Sequence, residues 1–288
     1  MCVTCGCSDD ADGKITNLET GETEHNHHHT HTLPDGTVIT HSHDHHDHRN
    51  HVHDHETSQI HAKIHGTTIS LEQEILGKNN LIAAQNRGWF KGRNILALNL
   101  MSSPGAGKTT LLTRTINDLK HQLPISVIEG DQETINDAQK IKETGCKVVQ
   151  INTGTGCHLD ASMIERGLQQ LNPPLNSVLM IENVGNLVCP ALFDLGEQAK
   201  VVILSVTEGE DKPIKYPHMF RASEMMILTK IDLLPYVQFD VQRCIEYAQQ
   251  VNPQMQIFQV SATTGAGLDT WYKWLTAKVM NYSNFITT

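Results

Sequence analysis

The sequence predicts an α/β domain, built on a mostly parallel sheet with helices on both faces and preceded by a disordered histidine-rich tail. Between residues 95 and 279, short runs rich in Val, Ile and Leu alternate with longer segments of helical periodicity. Such runs are typical of strands buried on both faces of a sheet. Between residues 8 and 68, polar residues and histidine dominate, so the segment has too little apolar surface to offset the entropy of ordering it. We therefore expect three regions: an N-terminal cysteine motif over 1–7, the tail over 8–68 and a folded domain over 69–288.

The folded domain divides into elements that follow one another in a regular order. A leading helix is predicted over 69–88, because apolar residues such as Ile75, Leu81 and Ala83 recur there at roughly helical spacing. Strands are predicted at 95–100, 125–128, 148–151, 178–181, 201–206, 225–228 and 257–260. Helices are predicted between them at 109–120, 135–143, 159–171, 241–251 and 268–279. This alternation is typical of a parallel sheet.

The charge and the cysteine content limit the classes of function. The formal net charge of -10 provides no excess of cations to neutralise phosphates, so we expect no nucleic-acid partner. No stretch approaches the roughly 18 apolar residues that cross a bilayer, so we expect no membrane segment. Seven cysteines, three of them near the N-terminus, favour reduced thiolates that bind metal over a secreted disulfide framework. These features predict a cytoplasmic protein.

A phosphate-binding loop follows the first predicted strand. Residues 102–110 read SSPGAGKTT, the P-loop pattern GxxxxGK(S/T) with Ser102 at the first glycine position. Backbone N–H groups of this loop can turn inward on the phosphates, Lys108 can reach the outer phosphates, and Thr109 offers a hydroxyl to magnesium. Because serine tolerates a glycine-like backbone conformation poorly, strain is expected at Ser102. The fold is expected to be that of P-loop NTPases, with phosphate-binding residues Gly105, Ala106, Gly107, Lys108, Thr109 and Thr110.

Two later segments predict that the base is guanine. Residues 229–232 read TKID, a variant of the guanine-reading pattern NKxD with Thr229 in place of asparagine. The Asp232 carboxylate can accept hydrogen bonds from N1–H and the exocyclic amine of guanine, and the stem of Lys230 can cover the base. Ser261 and Ala262 resemble the loop through which GTPases donate a backbone N–H to guanine. GTP and GDP are therefore the predicted ligands.

Acidic residues end two predicted strands at the same edge of the sheet. Asp131 closes the sequence EGD, and Glu182 opens the sequence ENVG, which resembles the DxxG switch motif of GTPases. Since parallel sheets bind ligands at the carboxyl ends of their strands, both carboxylates should face the nucleotide. We expect Asp131 and Thr109 to hold magnesium or its water shell, and Lys108, Asp131 and Glu182 to form the catalytic group. The sequence shows no clear catalytic base or arginine finger, so slow hydrolysis is expected.

Metal-ligating residues dominate the first two regions. Cys2, Cys5 and Cys7 place three thiolates within six positions. With a nitrogen donor from the backbone or the N-terminus, they predict a square-planar nickel(II) site, and tetrahedral zinc(II) is an open alternative. Fifteen of the 18 histidines lie between residues 25 and 65, a density that favours weak binding of several divalent ions. We expect this tract to store metal.

A third group of metal-ligating residues lies inside the folded domain. Cys157 and His158 end a glycine-rich loop after the third predicted strand, and Cys189 follows the ENVG segment. Both loops leave the nucleotide edge of the sheet, so a metal bound there would respond to the nucleotide, and a second copy of the chain could complete its coordination. Spacing alone leaves a packing role equally open for these three residues. Cys146 and Cys244 are interpreted as packing residues.

Together these motifs resemble the HypB family of GTPases, which incorporate nickel during maturation of nickel–iron hydrogenases. The resemblance runs from the CxxCGC start through the histidine tract and SSPGAGKTT to EGD, GTGCHLD, ENVGNLVCP, TEGEDKP and TKID. It implies a SIMIBI-class GTPase that forms a homodimer in response to nucleotide or metal. It implies a tight nickel site on the N-terminal cysteines and a second site, at the dimer interface, on Cys157, His158 and Cys189. It also implies two partners, a HypA-type nickel metallochaperone and the hydrogenase large-subunit precursor.

Two other functions stay open on the sequence alone. A GTPase of similar design could serve another metallocentre, such as urease, or act as a zinc chaperone, although the three N-terminal cysteines favour hydrogenase. A nickel storage protein with a regulatory nucleotide site is the alternative from a different class. The phosphate loop and the guanine-reading segment argue against it, and GTP turnover measured beside metal stoichiometry separates the two.

Overall fold

The computed structural model describes the backbone of residues 14–17, 23–24, 56–132 and 136–284, and the side chains of 73–132 and 136–279. Its strands are β1 (Lys14–Asn17), β2 (Thr23–Glu24), β3 (Ile95–Ser102), β4 (Ile125–Asp131), β5 (Lys147–Asn152), β6 (Ser177–Glu182), β7 (Ala199–Ser205), β8 (Met225–Thr229) and β9 (Gln256–Gln259). Its α-helices are α1 (Glu56–Arg93), α2 (Lys108–Leu119), α3 (Asn136–Glu143), α4 (Ala161–Leu171), α5 (Cys189–Leu192), α6 (Lys212–Lys215), α7 (Pro217–Ala222), α8 (Val241–Val251) and α9 (Leu268–Asn284). A 3-10 helix spans Ile231–Tyr236.

The described strands form one sheet in the order β2-β1-β5-β4-β6-β3-β7-β8-β9. Strands β3 to β9 pair in parallel. Strands β1 and β2 add antiparallel pairs at the β5 edge. The prediction of a mostly parallel sheet is therefore confirmed, and each of the seven predicted strands is present with ends shifted by a few residues.

Alternate side chains of the central strand β3 point to opposite faces of the sheet, and each face is covered by a layer of helices. Leu96, Leu98 and Leu100 pack with residues of α2, α3 and α9 on one face. Ile95 and Ala97 pack with α1 and α4 on the other face. Every position of β3 is buried, which is why the strand is apolar over most of its length. Since the strands run parallel, their carboxyl ends meet at one edge of the sheet, and the site lies there.

The leading helix α1 is longer than the sequence predicts. It begins at Glu56 and ends at Arg93, whereas apolar spacing predicts 69–88. Gly88 does not end it, because a glycine inside a helix costs only about 1 kcal/mol and the following turn buries Phe90 in the core below α1 and α4. No helix of the described residues, long α1 included, is apolar enough to cross a bilayer.

The buried face of α1 also differs from the expectation. It runs through Asn79, Ala83, Asn86 and Phe90, at helical spacing. Leu81, which its apolar character assigns to that face, is 71% exposed. The buried face of α1 therefore includes two amides, Asn79 and Asn86, which the apolar spacing does not assign to it.

Regular structure also occurs inside the range predicted as a tail. Strands β1 and β2 and the first turns of α1 fall between residues 8 and 68. Backbone pairing explains β1, which lies antiparallel to β5 with Ile15 opposite Ile151 and so covers an edge that would otherwise present unpaired backbone groups. The expectation of a tail without regular structure does not hold for these three segments, and the other residues before α1 lie outside the described part of the chain.

Four short helical segments have no counterpart in the sequence-based assignment. They are α5, α6, α7 and the 3-10 helix, each of which contains a proline. Proline in a first turn is preset for helical backbone, but segments this short leave no periodic pattern to detect. They form the connections that follow β6, β7 and β8.

Candidate nucleotide site and metal centre

A cavity of about 460 Å³ opens at the carboxyl edge of the parallel strands. Its walls are the phosphate loop, the ends of β4 and β6, and the residue after β8. This is the edge at which open parallel sheets bind ligands. The predicted site residues that line it are Gly105, Gly107, Lys108, Thr109, Thr110, Asp131, Glu182 and Lys230.

The phosphate loop turns at two glycines. Gly105 and Gly107 have φ of +76° and +93°, in the left-handed region that favours glycine. Helix α2 begins directly afterwards at Lys108, so the positive end of its dipole faces the cavity. Lys108 Nζ donates a hydrogen bond to Ser102 Oγ at 2.8 Å. Burial lowers the pKa of Lys108, and the negative charge of Glu182 opposes that shift.

Ser102 has a different role from the one predicted. It is the last residue of β3, is fully buried and pairs with Ile203 of β7. Its φ is not positive, so the expectation of strain at this position is wrong. The ladder with β7 holds Ser102 in extended backbone, which serine adopts freely, and its hydroxyl orients the Lys108 ammonium group.

Three carboxylates stand opposite Lys108 and Thr109. Thr109 Oγ1 donates to Glu182 Oε1 at 2.7 Å. Glu129 and Glu182 lie in direct register on β4 and β6, and each is 3% exposed. Burial raises the pKa of Glu129 to about 9, with a further contribution from the charge of Glu182. Burial also raises the pKa of Glu182 to about 7, although Lys108 and Thr109 oppose the shift. Asp131 ends β4 and is half-buried.

These groups fit a magnesium ion. Glu129 Oε2 and Glu182 Oε2 are buried and have no hydrogen-bond partner, an arrangement that costs free energy unless a cation or its water supplies one. Hydroxyl, carboxylate and water oxygens are the ligands that Mg²⁺ prefers. Thr109, Asp131 and Glu182 would hold the ion or its waters, and the ion would neutralise charge between carboxylates and phosphates.

Sequence reasoning assigned no role to two acidic residues of this cavity, Glu129 and Asp137. Glu129 stands two positions before Asp131 on the same strand, and strand residues two apart share a face. That alternation could have identified it. Asp137 lies in the first turn of α3, and no pattern in the sequence places that helix end over the cavity.

The TKID segment after β8, which is predicted to read the base, is hydrogen-bonded to the phosphate loop. Thr229 Oγ1 donates to the Ala106 carbonyl at 2.7 Å, so the residue that replaces asparagine makes this connection. Lys230 has a left-handed backbone with φ of 59°, and its Nζ donates to the Gly105 carbonyl at 2.7 Å. Asp232 Oδ1 is buried without a hydrogen-bond partner, a feature of groups that a ligand satisfies.

The loop after β9 lies against the helix that follows the phosphate loop. Ser261 is buried, and its hydroxyl accepts from the N–H of Thr264 at 3.1 Å. Arg114 of α2 donates to the Ala262 carbonyl at 3.0 Å. The backbone of Ser261 and Ala262 is thus held from within the loop and from α2, and neither residue lines the cavity.

The ENVG segment connects the nucleotide cavity with the loop that carries Cys157 and His158. Asn183 Oδ1 accepts from the N–H of Leu159, the residue after His158, at 3.1 Å. Gly185 packs against Pro104 of the phosphate loop, where an added Cβ would lie 3.0 Å from the proline ring. A displacement of this segment would therefore act on both sites.

Cys157, His158 and Cys189 come together in space. Their ligand atoms all lie within 4.8 Å of one another, and Cys157 Sγ is 3.6 Å from His158 Nδ1. The His158 ring stacks on Phe193 with centroids 3.9 Å apart. Burial lowers the pKa of His158, which favours the neutral imidazole that binds metal. Three such ligands leave one coordination position open.

The remaining cysteines divide into two groups. Cys146 and Cys244 are buried within the apolar clusters of the core. Burial raises the pKa of Cys244 to about 12, so its thiol stays protonated. These are the properties of packing residues. The predicted ligands Cys2, Cys5 and Cys7 and the side chains of the histidine tract lie outside the described part of the chain.

Similarity to known proteins agrees with this site. Residues 96–259 match the family described as "CobW/HypB/UreG, nucleotide-binding domain". The chain is 58% identical to hydrogenase maturation factor HypB of Escherichia coli K12 over 207 residues, which cover 72% of this chain and 71% of that protein. It is 45% identical to HypB of Cupriavidus necator over 327 aligned positions, which cover 96% and 88%. The crystal structure of HypB from Helicobacter pylori in complex with nickel superposes with a TM-score of 0.66 at 38% identity and covers 71% of this chain and 97% of that one.

The matched region contains both halves of the site. The phosphate loop, the acidic strand ends, the base-reading segment and the cysteine–histidine cluster all lie within residues 96–259. The fold around them is that of a P-loop NTPase, with a parallel sheet between layers of helices. On this similarity, the chain belongs to the HypB family of hydrogenase maturation factors, within the CobW/HypB/UreG group of nucleotide-binding proteins.

Proposed function

We propose that this chain hydrolyses GTP to control the delivery of nickel during maturation of a nickel–iron hydrogenase. The observation that carries the proposal is the ENVG segment, which touches both sites. Its Glu182 accepts from Thr109 in the nucleotide cavity, and its Asn183 accepts from the N–H next to His158. A change in this segment on loss of the γ-phosphate would reach the metal ligands.

Guanine selection is proposed for the segments after β8 and β9. The buried, unpartnered Asp232 oxygen supports a role in accepting from the base, since adenine offers no matching pair of donors. The hydrogen bond from Arg114 to Ala262 supports a fixed loop that presents a backbone N–H to the guanine oxygen. GTP and GDP are therefore the proposed nucleotides.

Hydrolysis is proposed to depend on Lys108, Asp131 and Glu182. The Lys108 ammonium would neutralise charge on the outer phosphates, and the two carboxylates would hold magnesium or orient its waters. No arginine occurs among the described residues that line the cavity. Arginine supplied to such a site raises turnover by large factors, so slow intrinsic hydrolysis is proposed.

The cargo is proposed to bind at Cys157, His158 and Cys189, as nickel(II) or zinc(II), with a second copy of the chain supplying further ligands. Val188 and Leu192 flank Cys189 and are 48% and 37% exposed, which supports a contact between copies there. In this proposal the N-terminal cysteines form a tighter nickel site, and the histidine tract stores the metal. A HypA-type metallochaperone and the hydrogenase large-subunit precursor are the proposed partners, in the cytoplasm.

The affinity of the metal cluster in different nucleotide states tests this function. Nickel affinity is measured for the full chain with GDP and with a non-hydrolysable GTP analogue, and again after double replacement of Cys157 and Cys189 by alanine. Because coupling between two sites is typically about 1–3 kcal/mol, we expect the affinities to differ by about 5- to 150-fold in the wild type and not in the double variant. Identical affinities in both nucleotide states would contradict the proposal.

A further inference from the structure

The buried face of α1 bridges two loops of the domain. Asn86 Nδ2 donates to the Ala161 carbonyl at 2.8 Å and to the Leu195 carbonyl at 3.1 Å. Asn79 accepts from the Ala161 N–H at 2.9 Å and donates to the Asp194 carbonyl at 2.8 Å. Each amide therefore holds the same two loops at once.

Each of these two loops carries part of the cysteine–histidine cluster. Ala161 begins α4 and lies three residues after His158. Asp194 follows Phe193, whose ring stacks on His158, and lies five residues after Cys189. The two amides of α1 thus reach one loop from each side of the cluster.

Two further contacts press the second loop onto α1. The Arg87 guanidinium donates to both carboxylate oxygens of Asp194, at 2.6 and 2.7 Å. Gly196 lies so close that an added Cβ would stand 2.6 Å from the Ala83 carbonyl of α1. We use the name α1 clamp for Asn79, Asn86 and Arg87.

The chemistry of the clamp favours a positioning role over simple packing. Asn79 and Asn86 are 7% and 3% exposed, and a buried amide costs free energy unless its hydrogen bonds are made. Apolar side chains would cover the loops without the free-energy cost of burying an amide. Hydrogen bonds to backbone groups have narrow geometry, so they fix where each loop lies relative to the helix.

We propose that the α1 clamp sets the separation of Cys157 and His158 from Cys189. Metal–sulfur and metal–nitrogen bonds of about 2.3 and 2.0 Å place the ligand atoms of a tetrahedral site about 3.5 to 4 Å apart. The atoms of this cluster lie within 4.8 Å of one another, so the loops are close to a binding arrangement. Its consequence for metal affinity rests on the function proposed above.

The separation of the two thiols is the first measurement and needs no metal. In the full chain, with Cys2, Cys5 and Cys7 replaced by serine, a short bifunctional thiol reagent is used to link Cys157 to Cys189. We expect Asn86→Ala and Arg87→Ala to slow this linkage severalfold. Asn252→Ala is the matched control for Asn86, since Asn252 also donates to two backbone carbonyls, at Phe220 and Ser223. Arg243→Ala, on the exposed face of α8, is the control for Arg87.

Nickel affinity in the same variants is the second measurement. Binding is monitored by the thiolate-to-nickel absorption band. Outer groups that orient ligands typically change metal affinity by 10- to 100-fold, so we expect about tenfold weaker binding in Asn86→Ala and less in Arg87→Ala. Linkage rates equal to those of the matched controls would overturn the clamp. Slower linkage with no thiolate-to-nickel absorption in any variant would support the clamp and refute the proposed metal function of the cluster instead. Because the Arg87 side chain is solvent-exposed, we expect Arg87→Ala to fold. This variant therefore tests the clamp even where Asn86→Ala does not fold.

Discussion

Glu129 and Glu182 stand side by side on β4 and β6, and each has one buried carboxylate oxygen without a hydrogen-bond partner. Burial disfavours the ionised form of both carboxyl groups and raises their pKa values, to about 9 for Glu129 and about 7 for Glu182. The negative charge of Glu182 adds to the shift of Glu129, whereas Lys108 and the hydrogen bond from Thr109 oppose the shift of Glu182. The pair therefore makes the carboxyl edge of the sheet sensitive to positive charge.

Replacing Glu129 by glutamine is expected to stabilise the metal-free protein, and more so at higher pH. The folded-state pKa of Glu129, about 9, lies above its ordinary 4.5, so the folded state keeps a proton that the unfolded state releases. Its contribution to stability is therefore full below about pH 4.5 and declines as the pH rises towards 9. Melting temperatures with a chelator at about pH 5 and about pH 8 check this. Exposed Glu246→Gln is the control, and a pH-independent difference would contradict the prediction.

Lys108→Ala is expected to reduce GTP hydrolysis by at least about 10²-fold, because it removes the charge that stabilises the outer phosphates in the transition state. Metal binding by the N-terminal region should not change. Steady-state phosphate release measures the first effect and equilibrium dialysis the second. Lys273→Ala is the control, since that exposed lysine pairs only weakly with Asp269. Turnover equal to that of the wild type would remove Lys108 from the catalytic group.

Asp232→Asn is expected to weaken the preference for guanine, because an amide cannot accept both hydrogen bonds that a carboxylate accepts. Competition among guanosine, xanthosine and adenosine diphosphates measures the preference. Asp269→Asn, at an exposed position of α9, serves as the matched control. If guanine selection survives the change at Asp232, another group reads the base.

Deleting residues 25–55 is expected to lower the number of nickel ions bound per chain and to leave one tight site and the GTPase rate nearly intact. This deletion removes most of the histidine tract and stops before α1, which begins at Glu56. Equilibrium dialysis gives the stoichiometry. An unchanged number of bound ions would refute the storage role.

Double replacement of Cys157 and Cys189 by alanine is expected to abolish metal-dependent dimerisation. A metal that binds only the dimer shifts association by mass action, and removal of its ligands removes that shift. Sedimentation with and without nickel or zinc, in GDP and in a non-hydrolysable GTP analogue, measures it. Cys146→Ala with Cys244→Ala is the matched pair of buried cysteines and should behave as the wild type. A Cys157 and Cys189 variant that still dimerises with metal would show that these residues only pack.

The strands could be predicted because a strand buried on both faces is apolar over most of its length, as β6 is from Val178 to Ile181. The site followed from them, since parallel strands bring their carboxyl ends to one edge. The backbone of Ser102 could not be predicted, because its extended conformation is imposed by Ile203 on a strand distant in sequence. Pairing with β7 therefore determines the backbone conformation of Ser102 more than the intrinsic preference of serine does.

The contacts of α1 were beyond prediction for a similar reason. Asn79 and Asn86 look like solvent-facing residues, and their carbonyl partners lie 75 to 115 positions away in the chain. The cysteine–histidine cluster could be predicted only as one of two equal possibilities. Its ligand atoms lie close together because the two loops that carry them are held by α1, through contacts between residues far apart in the sequence.

The hydrogen bonds from Thr229 and Lys230 to carbonyls of the phosphate loop have a consequence for the lifetime of the bound nucleotide. They join the segment proposed to recognise the base to the loop proposed to surround the inner phosphates. On the proposed function, a nucleotide that has lost its terminal phosphate would still contact both parts, so cleavage alone would not release it. A molecule that has delivered its cargo would then stay distinguishable from a fresh one until the spent nucleotide dissociates.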